Sequence, residues 1–358
     1  MTKQRIYLVL AVGVLAVIIR LLVFVFMPVV HDTAGVKYLV SPGMTFQTVV
    51  TDLNQQKIIT HPFLFESLIV LRGATHRLKK GEYLFRQGST PLTMINQMMT
   101  GTGLVQYEFT LVAGWNITQV KNALAKESVL RHSIEHMSDK EVMDKLELPN
   151  DFSPFEKEGS MEGMFFPETY FYTRGSSDIG LLKRALRLMK NKLDKAWINR
   201  DVDLPFETPY QVLIVASLVE KETAVPAERA IIAGVIINRL KHNMLLQIDP
   251  TVIYGLGSRY TGKIRKENLQ DKSPYNTYLN KGLPPSPIAM PSMEALLAVL
   301  HPQHNDYFYY VAKGDGTHIF SKSLVEHRAA IQEVKKTVGR RPAACPRDPA
   351  CLSVKDKL

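Results

Sequence analysis

The sequence predicts an α+β chain: one membrane-spanning helix at the N-terminus, a small βα module, then a mixed, helix-led region with a small antiparallel hairpin. Three observations carry that reading. An apolar run fills Ile6 to Val30, interrupted only by Arg20. A strand–glycine–helix pattern occurs twice, 71 residues apart. The second half shows helical apolar spacings and, near its end, the alternating segment "YFYYVAKGDGTHIFS".

The apolar run has the roughly 20 residues that one bilayer span needs. Lys3 and Arg5 precede it and only His31 and Asp32 follow closely. That bias leaves the short N-terminus in the cytoplasm and exports the rest of the chain. No small-residue cleavage site follows, so a retained anchor is expected rather than a removed signal peptide. Next, "YLVSPGMTFQTVVTDL" (Tyr38 to Leu53) aligns with "FTLVAGWNITQVKNAL" (Phe109 to Leu124), matching Gly43 with Gly114 and Val49 with Val120. Each copy reads as strand, glycine turn and helix, capped by Thr45 or Asn116. "EYLFR" is a further strand, Ser89 or Thr90 with Pro91 starts a helix, and Gly101 stops it.

Ser128 to Asn150 reads as charged and helical, and Met161 to Gly175 as an aromatic core segment, with exposed rings beside a ligand cleft as the alternative. Ser177 to Arg200 has the spacing of an amphipathic helix with a basic outer face. Thr208 and Pro209 cap and begin a helix through "VLIVASLVEKE", and Pro226 breaks it and begins a second, "AERAIIAGVIINRL". From "LLQIDPTVIYGLG" to "GLPPSPIAMP" the chain reads as a long connection of the kind that carries function when it lines a cleft. A hairpin turning at Gly-Asp-Gly and the helix "SLVEHRAAIQEVKK" close the pattern.

At 358 residues there is room for two or three domains. The formal charge of +10 suits an anionic partner, but the basic residues are scattered in short groups such as Arg77 to Lys80, and no nucleic-acid motif is present. Cys345 and Cys351 both lie in the tail, where an oxidising compartment would let them close a small loop or leave them as free thiols. Neither has companions spaced for a metal site, and no cofactor is implied.

The chemistry concentrates on Glu220 and Glu222, at the end of an otherwise apolar run. Residues two apart on a helix point about 200° from one another, so the two cannot share one cleft. Apolar neighbours and a helix C-terminus both raise a carboxyl pKa, as a general acid near neutral pH requires. A Glu-Lys-Glu helix end is also what a solvated terminus looks like, and the segment by itself leaves both readings open. Gln247, Asp249, Thr251 and Tyr254, with Tyr275, Asn276, Thr277 and Tyr278, supply amide, hydroxyl and aromatic groups suited to a hydroxyl-rich ligand such as a sugar. Turn formation is the plainer role for the Asn and Pro residues among them.

"EGMFFPETYFY", "SLVEKETAVPAERAIIAGVIINRL", "LQIDPTVIYGLG", "YNTYLNKGLPPSPIA" and "YFYYVAKGDGTHIFS", in order along the chain, resemble the MltG (YceG-like) family of endolytic murein transglycosylases. The resemblance implies a LysM-like module at 32–106 after an anchor at 1–31, a linking βα and helical region at 107–205, a catalytic domain at 206–337 and a poorly ordered tail at 338–358. It implies cleavage of nascent peptidoglycan strands between N-acetylmuramic acid and N-acetylglucosamine, leaving 1,6-anhydro ends, by a protein of the inner membrane whose catalytic part lies outside the cytoplasm. Peptidoglycan synthases or division proteins are candidate partners. The family's acid falls on Glu222, followed by Thr223, with Glu220 in reserve. A hydrolase using water and a second carboxylate (Glu162, Glu168 or Asp249), or a tethered wall-binding scaffold without catalysis, are the competing expectations.

Overall fold

The computed structural model describes residues 3–147 and 160–338; Cys345, Cys351 and nearly all of the expected tail lie outside them. The chain forms two compact units, Met1–Glu108 with Phe171–Ser176, and Phe109–Tyr170 with Ser177–Leu358.

The first unit contains α1 (Lys3–Phe26), β1 (Val36–Val40), α2 (Phe46–Gln55), α3 (Pro62–Leu71), β2 (Gly81–Phe85) and α4 (Pro91–Thr100). β1 and β2 pair antiparallel with Tyr38 opposite Tyr83. Tyr38, Val40, Tyr83 and Phe85 are buried against Leu53, Phe65, Met94, Ile95 and Met98. The caps are those the sequence indicates. Thr45 accepts from the Thr48 N–H; Thr90 forms a capping box with Thr93, and Gly101 ends α4 in the left-handed region at φ 81°. Residues Phe171–Ser176 belong to this unit, where Arg174 Nε lies 3.1 Å from Glu82 Oε2. Most described apolar side chains of α1, such as Leu10, Val14 and Leu22, are exposed, while Phe24 near its end is half-buried against the core. Among the described residues no helix is long and apolar enough to cross a membrane.

The second unit begins within β3 (Gln106–Thr110), which pairs with β4 (Thr169–Thr173) where the chain passes between the units. It continues with α5 (Ile117–Leu124), α6 (Asp139–Leu146), α7 (Asp178–Ile198), α8 (Pro209–Glu222), α9 (Pro226–Lys241), α10 (Asp249–Leu256) and α11 (Met293–Leu300). The antiparallel hairpin β5 (Tyr309–Ala312) and β6 (His318–Ser321) and the helix α12 (Leu324–Val338) complete it. Because α8 is apolar on every face it must lie inside. All of Val212 to Val219 is buried, with α7, α9, α10 and α11 packed around it. Each of its large aliphatic side chains contributes about 1.5–3 kcal/mol on burial.

Two sequence expectations change in detail, and a third holds. Of 128–150, only Asp139–Leu146 is helical among the described residues, because the Ser138–Glu141 capping box sets the start. The stretch 249–256, read as connection, is a helix begun by Asp249 and Pro250. The aromatic segment packs as core: Met161, Met164, Phe165, Phe166, Tyr170 and Tyr172 are buried, and Phe171 alone of its aromatic residues is well exposed.

That segment makes one tight contact. Gly163 has φ +76°, and a Cβ there would sit 2.5 Å from Pro287 Cβ and 2.6 Å from Pro287 Cγ. A proline ring cannot swing aside, and the left-handed backbone adds its own strain. Gly163→Ala is therefore expected to destabilise the second unit by about 2–3 kcal/mol. Urea unfolding checks this, and a loss below about 0.5 kcal/mol would mean that the 287 segment yields freely.

Candidate active site

The end of α8 is fixed by sequence on both sides. Thr223 leaves the helix in extended conformation at φ −141° and ψ 138°, and Pro226 begins α9 three residues later. The corner therefore lifts Glu220 and Glu222 to the rim of a helix whose body is buried. As expected for residues two apart, they meet different surroundings.

Glu220 is held by α11. Its Oε2 accepts from the Ser292 N–H at 3.0 Å and from the Ser292 hydroxyl at 2.5 Å, and Ser292 is the N-cap of α11. Arg229 Nη2 lies 3.7 Å from Oε1. A carboxylate at a helix N-terminus beside a guanidinium is favourably placed as a structural anion. The segment before α11 runs along the last turns of α8. The Ile288 N–H donates to Ser217 Oγ at 3.0 Å, the Gly114 N–H to Met290 O at 2.8 Å, and the Met290 N–H to Trp115 O at 2.7 Å. Lys221 Nζ donates to Gly114 O at 3.2 Å. Gly114, from the second copy of the sequence repeat, thus lies against the α8 end, and Asn116 two residues on caps α5.

Glu222 faces the hairpin. The Tyr310 hydroxyl hydrogen-bonds to it, and burial first, then the charge of Glu222, hold that phenol well above the usual tyrosine range. Tyr278 and Arg239 also feel its charge. Arg239 is a buried cation on α9. It donates to Phe308 O at 2.6 Å, to Leu246 O at 2.7 Å and to Leu245 O at 3.1 Å, and its guanidinium lies 5.2 Å from the Tyr309 ring centre. Burial pulls its pKa down, against the opposing pull of Tyr310, Tyr309, Tyr278 and Glu222, yet a guanidinium remains charged at any physiological pH. A carboxyl in this setting can give up a proton and take one back, with a phenol donor and a fixed positive charge favouring the ionised form in between.

The remaining expected residues divide into three groups. Gln247, Asp249 and Tyr278 gather around Arg239: Tyr278 donates to Asp249 Oδ1 at 2.5 Å, and Arg239 Nη1 lies 3.4 Å from Gln247 Oε1. Tyr254 and Tyr275 form a tilted ring pair 4.7 Å apart. Their hydroxyls turn to the protein, Tyr254 donating to Glu162 Oε2 at 3.0 Å and Tyr275 bonding Ser286 Oγ at 2.7 Å. Thr251, Asn276 and Thr277 are buried. Thr251 and Thr277 hydroxyls bond one another at 2.9 Å, and Asn276 Nδ2 donates to Leu269 O and Asp271 O. Thr251 and Thr277 fasten α10 to the 269–277 segment and Asn276 braces that segment internally, so none of the three presents its polar group outward.

The other two carboxylates considered are elsewhere. Glu162 is fully buried, both its oxygens accepting from the Ile117 N–H at 3.0 and 3.1 Å. Burial pushes its carboxyl up to about 7, against the pull of the Ile117, Tyr254 and Gly163 hydrogen bonds. Glu168 accepts from its neighbour's N–H at 3.2 Å and lines a groove of about 490 Å³ with Thr110, Lys192 and Ser292. A second hollow, about 360 Å³, lies between Asp201, Asn238 and Asp306. Neither is lined by Glu222. Sequence reasoning did not single out Tyr310 or Arg239. A lone Arg within "IIAGVIINRL" and the alternation of "YFYYVA" were the available signals.

The chain belongs to the YceG-like family, which matches residues 38–333. It is 29% identical over 299 residues to an endolytic murein transglycosylase of Bacillus subtilis, covering 81% of this chain and 82% of that protein. It is 24% identical over 329 residues to one of Streptococcus pneumoniae, covering 84% of this chain and 59% of that longer protein. In fold it is similar to a crystal structure of a putative yceG-like protein from Listeria monocytogenes, with TM-score 0.51, 24% identity and coverage of 83% of this chain and 99% of the other.

Proposed function

We propose that this chain, a lytic transglycosylase by family, cleaves peptidoglycan glycan strands between N-acetylmuramic acid and N-acetylglucosamine, with Glu222 as acid and then base. The observation that carries the reading is the hydrogen bond of the buried Tyr310 hydroxyl to Glu222, with the Arg239 guanidinium and Tyr278 near enough to feel the charge of that carboxyl. Protonated Glu222 donates to the glycosidic oxygen as an oxocarbenium-like sugar develops. Arg239 and the Tyr310 hydroxyl favour the carboxylate so formed. That carboxylate takes the proton of the sugar's own C6 hydroxyl, which closes on C1 and leaves a 1,6-anhydro end. The nucleophile is already tethered, so a water-activating second carboxylate is not required. Gln247 and Tyr278, exposed or half-buried near Arg239, are the residues proposed to orient the strand, with the Tyr254–Tyr275 pair as an aromatic wall.

Membrane attachment belongs to the same proposal. It rests on the sequence, apolar from Ile6 to Phe26 but for Arg20, and on length alone in the structure: the 24 residues of α1 measure roughly 36 Å at 1.5 Å per residue, against a hydrocarbon core of about 30 Å. The β1–α2–α3–β2 order, with its strands paired antiparallel, supports the LysM-like reading of the module that follows, as a holder of glycan near the membrane. Synthases or division proteins remain the proposed partners.

The test is the fate of water. Strands cut in H₂¹⁸O should give anhydro-ended fragments without the label by mass spectrometry. Reducing ends carrying ¹⁸O would instead make the enzyme a hydrolase, with Asp249, reached through Tyr278, as the first second-carboxylate candidate.

A further inference from the structure

A buried histidine–carboxylate pair adjoins Glu222 and plays no part in the chemistry above. Glu228 lies in the first turn of α9 and His318 opens β6. Glu228 Oε1 accepts from the His318 backbone N–H at 2.8 Å, and Oε2 meets His318 Nδ1 at 2.7 Å. Side-chain exposure is 7% for His318 and 11% for Glu228. With Oε1 accepting from the backbone N–H, a Glu228 carboxylate accepts at Oε2 from Nδ1–H, which fixes Nδ1 as the ring nitrogen that carries the proton.

Two contacts make this more than an anchor for the hairpin. Glu228 Oε2 also accepts from the Thr223 hydroxyl at 3.4 Å, and Thr223 Oγ1 accepts from the Val225 N–H at 3.0 Å. Thr223 is the residue that follows Glu222 and terminates α8. On its other side the His318 ring packs edge-on against Tyr310, centroids 5.4 Å apart at 89°, and Tyr310 is the phenol bonded to Glu222. In the hairpin register Ala312 opposes His318 and Tyr310 opposes Phe320, so Tyr310 and His318 share one face of the sheet. The pair therefore touches both structures that fix Glu222: its backbone exit and its hydroxyl partner.

We propose that His318 and Glu228 are positioning residues for Glu222, holding Thr223 and the Tyr310 ring so that the carboxyl keeps one orientation while it delivers and recovers a proton. The inference rests on the reading of Glu222 as the acid. An anchor serving stability alone would need only the backbone N–H to Glu228. The imidazole adds a rigid wedge between that carboxylate and the tyrosine, and misplacement of a catalytic group by about 1 Å can lower a rate by about 100-fold.

The experiment compares full-length wild type with His318→Ala, His318→Asn, Glu228→Gln and Glu222→Gln on uncrosslinked glycan strands, reading kcat, KM and unfolding midpoint. His318→Ala is expected to lower kcat by about 30-fold with KM within about 3-fold, and Glu228→Gln to act similarly. His318→Asn keeps an N–H near the place of Nδ1–H and should recover kcat to within about 5-fold of wild type, although its midpoint falls as far as that of His318→Ala. A kcat for His318→Ala within about 3-fold of wild type, a change confined to KM, or an Asn variant no better than Ala would overturn the proposal. If His318→Ala does not fold, a cycle of His318→Asn with Tyr310→Phe decides: coupling above about 3-fold in kcat supports it, and additivity sinks it. Glu222→Gln separates the two readings. An active Glu222→Gln removes the acid assignment, whereas an inactive one beside an active His318→Ala removes only the positioning role.

Discussion

Glu222→Gln is expected to lower kcat on glycan strands by about 1,000-fold or more, with KM little changed, while Glu220→Gln keeps most of the activity and loses stability instead. Gln retains the size of Glu and can still accept from Tyr310, so the site keeps its shape and loses only the transferable proton. General acid and base roles contribute about 100- to 10,000-fold in rate, and here one group is proposed to serve both. Glu220 differs because its oxygens are engaged by Ser292 and Arg229. Its amide weakens a charge-assisted anchor of α11, worth about 1–3 kcal/mol. Initial rates and urea unfolding of the two variants side by side distinguish these outcomes. An inactive, stable Glu220→Gln beside an active Glu222→Gln would exchange the roles of the two acids.

Local signals carried most of the elements. Thr208 before Pro209 marks the start of α8, Pro226 the start of α9, and Gly-Asp-Gly the turn of the hairpin, because caps, proline and glycine act through the backbone of a few neighbouring residues. The repeated strand–glycine–helix pattern is present in both copies, with Gly43 at φ 86° and Gly114 at φ 79°. The opposite settings of Glu220 and Glu222 follow from helical geometry alone. What surrounds each does not. Tyr310 reaches Glu222 only because the hairpin, almost 90 residues later, packs beside α8, and Arg239 becomes a counter-charge only once the carbonyls of Leu245, Leu246 and Phe308 close around it. The same long-range packing turned Thr251, Asn276 and Thr277 inward. Side chains that suit a sugar equally suit the loop that must be stitched down, and one sequence cannot separate the two. The helix at Asp249–Leu256 did carry a local signal, proline in its first turn, masked by the Gly- and Asn-rich sequence around it.

The second large effect is a pH dependence of stability centred on Glu162. Its carboxyl is raised from the ordinary 4.5 to about 7, chiefly by burial. A group whose folded-state pKa is raised contributes stability that is fully present below its unfolded pKa and is lost as pH rises through the folded value. For Glu162 the loss begins near pH 4.5, is largely complete somewhat above pH 7, and amounts to about 3 kcal/mol. Glu162→Gln stays neutral at every pH, can accept from the Ile117 N–H through its carbonyl, and can donate to the Tyr254 oxygen. Relative to wild type it should therefore gain about 3 kcal/mol between pH 4.5 and pH 8. Every other titrating group is common to both proteins, so the difference between their unfolding free energies across that window isolates Glu162. Parallel curves would mean that the carboxyl is ionised throughout, its three hydrogen bonds outweighing burial. A rising difference would mean that Glu162 ionises as the medium turns alkaline and carries the desolvation cost of a buried carboxylate, the Ile117 and Tyr254 donors offsetting only part of it. Activity lost above pH 7 in wild type and retained in Glu162→Gln would then trace to this buried acid and not to the titration of Glu222.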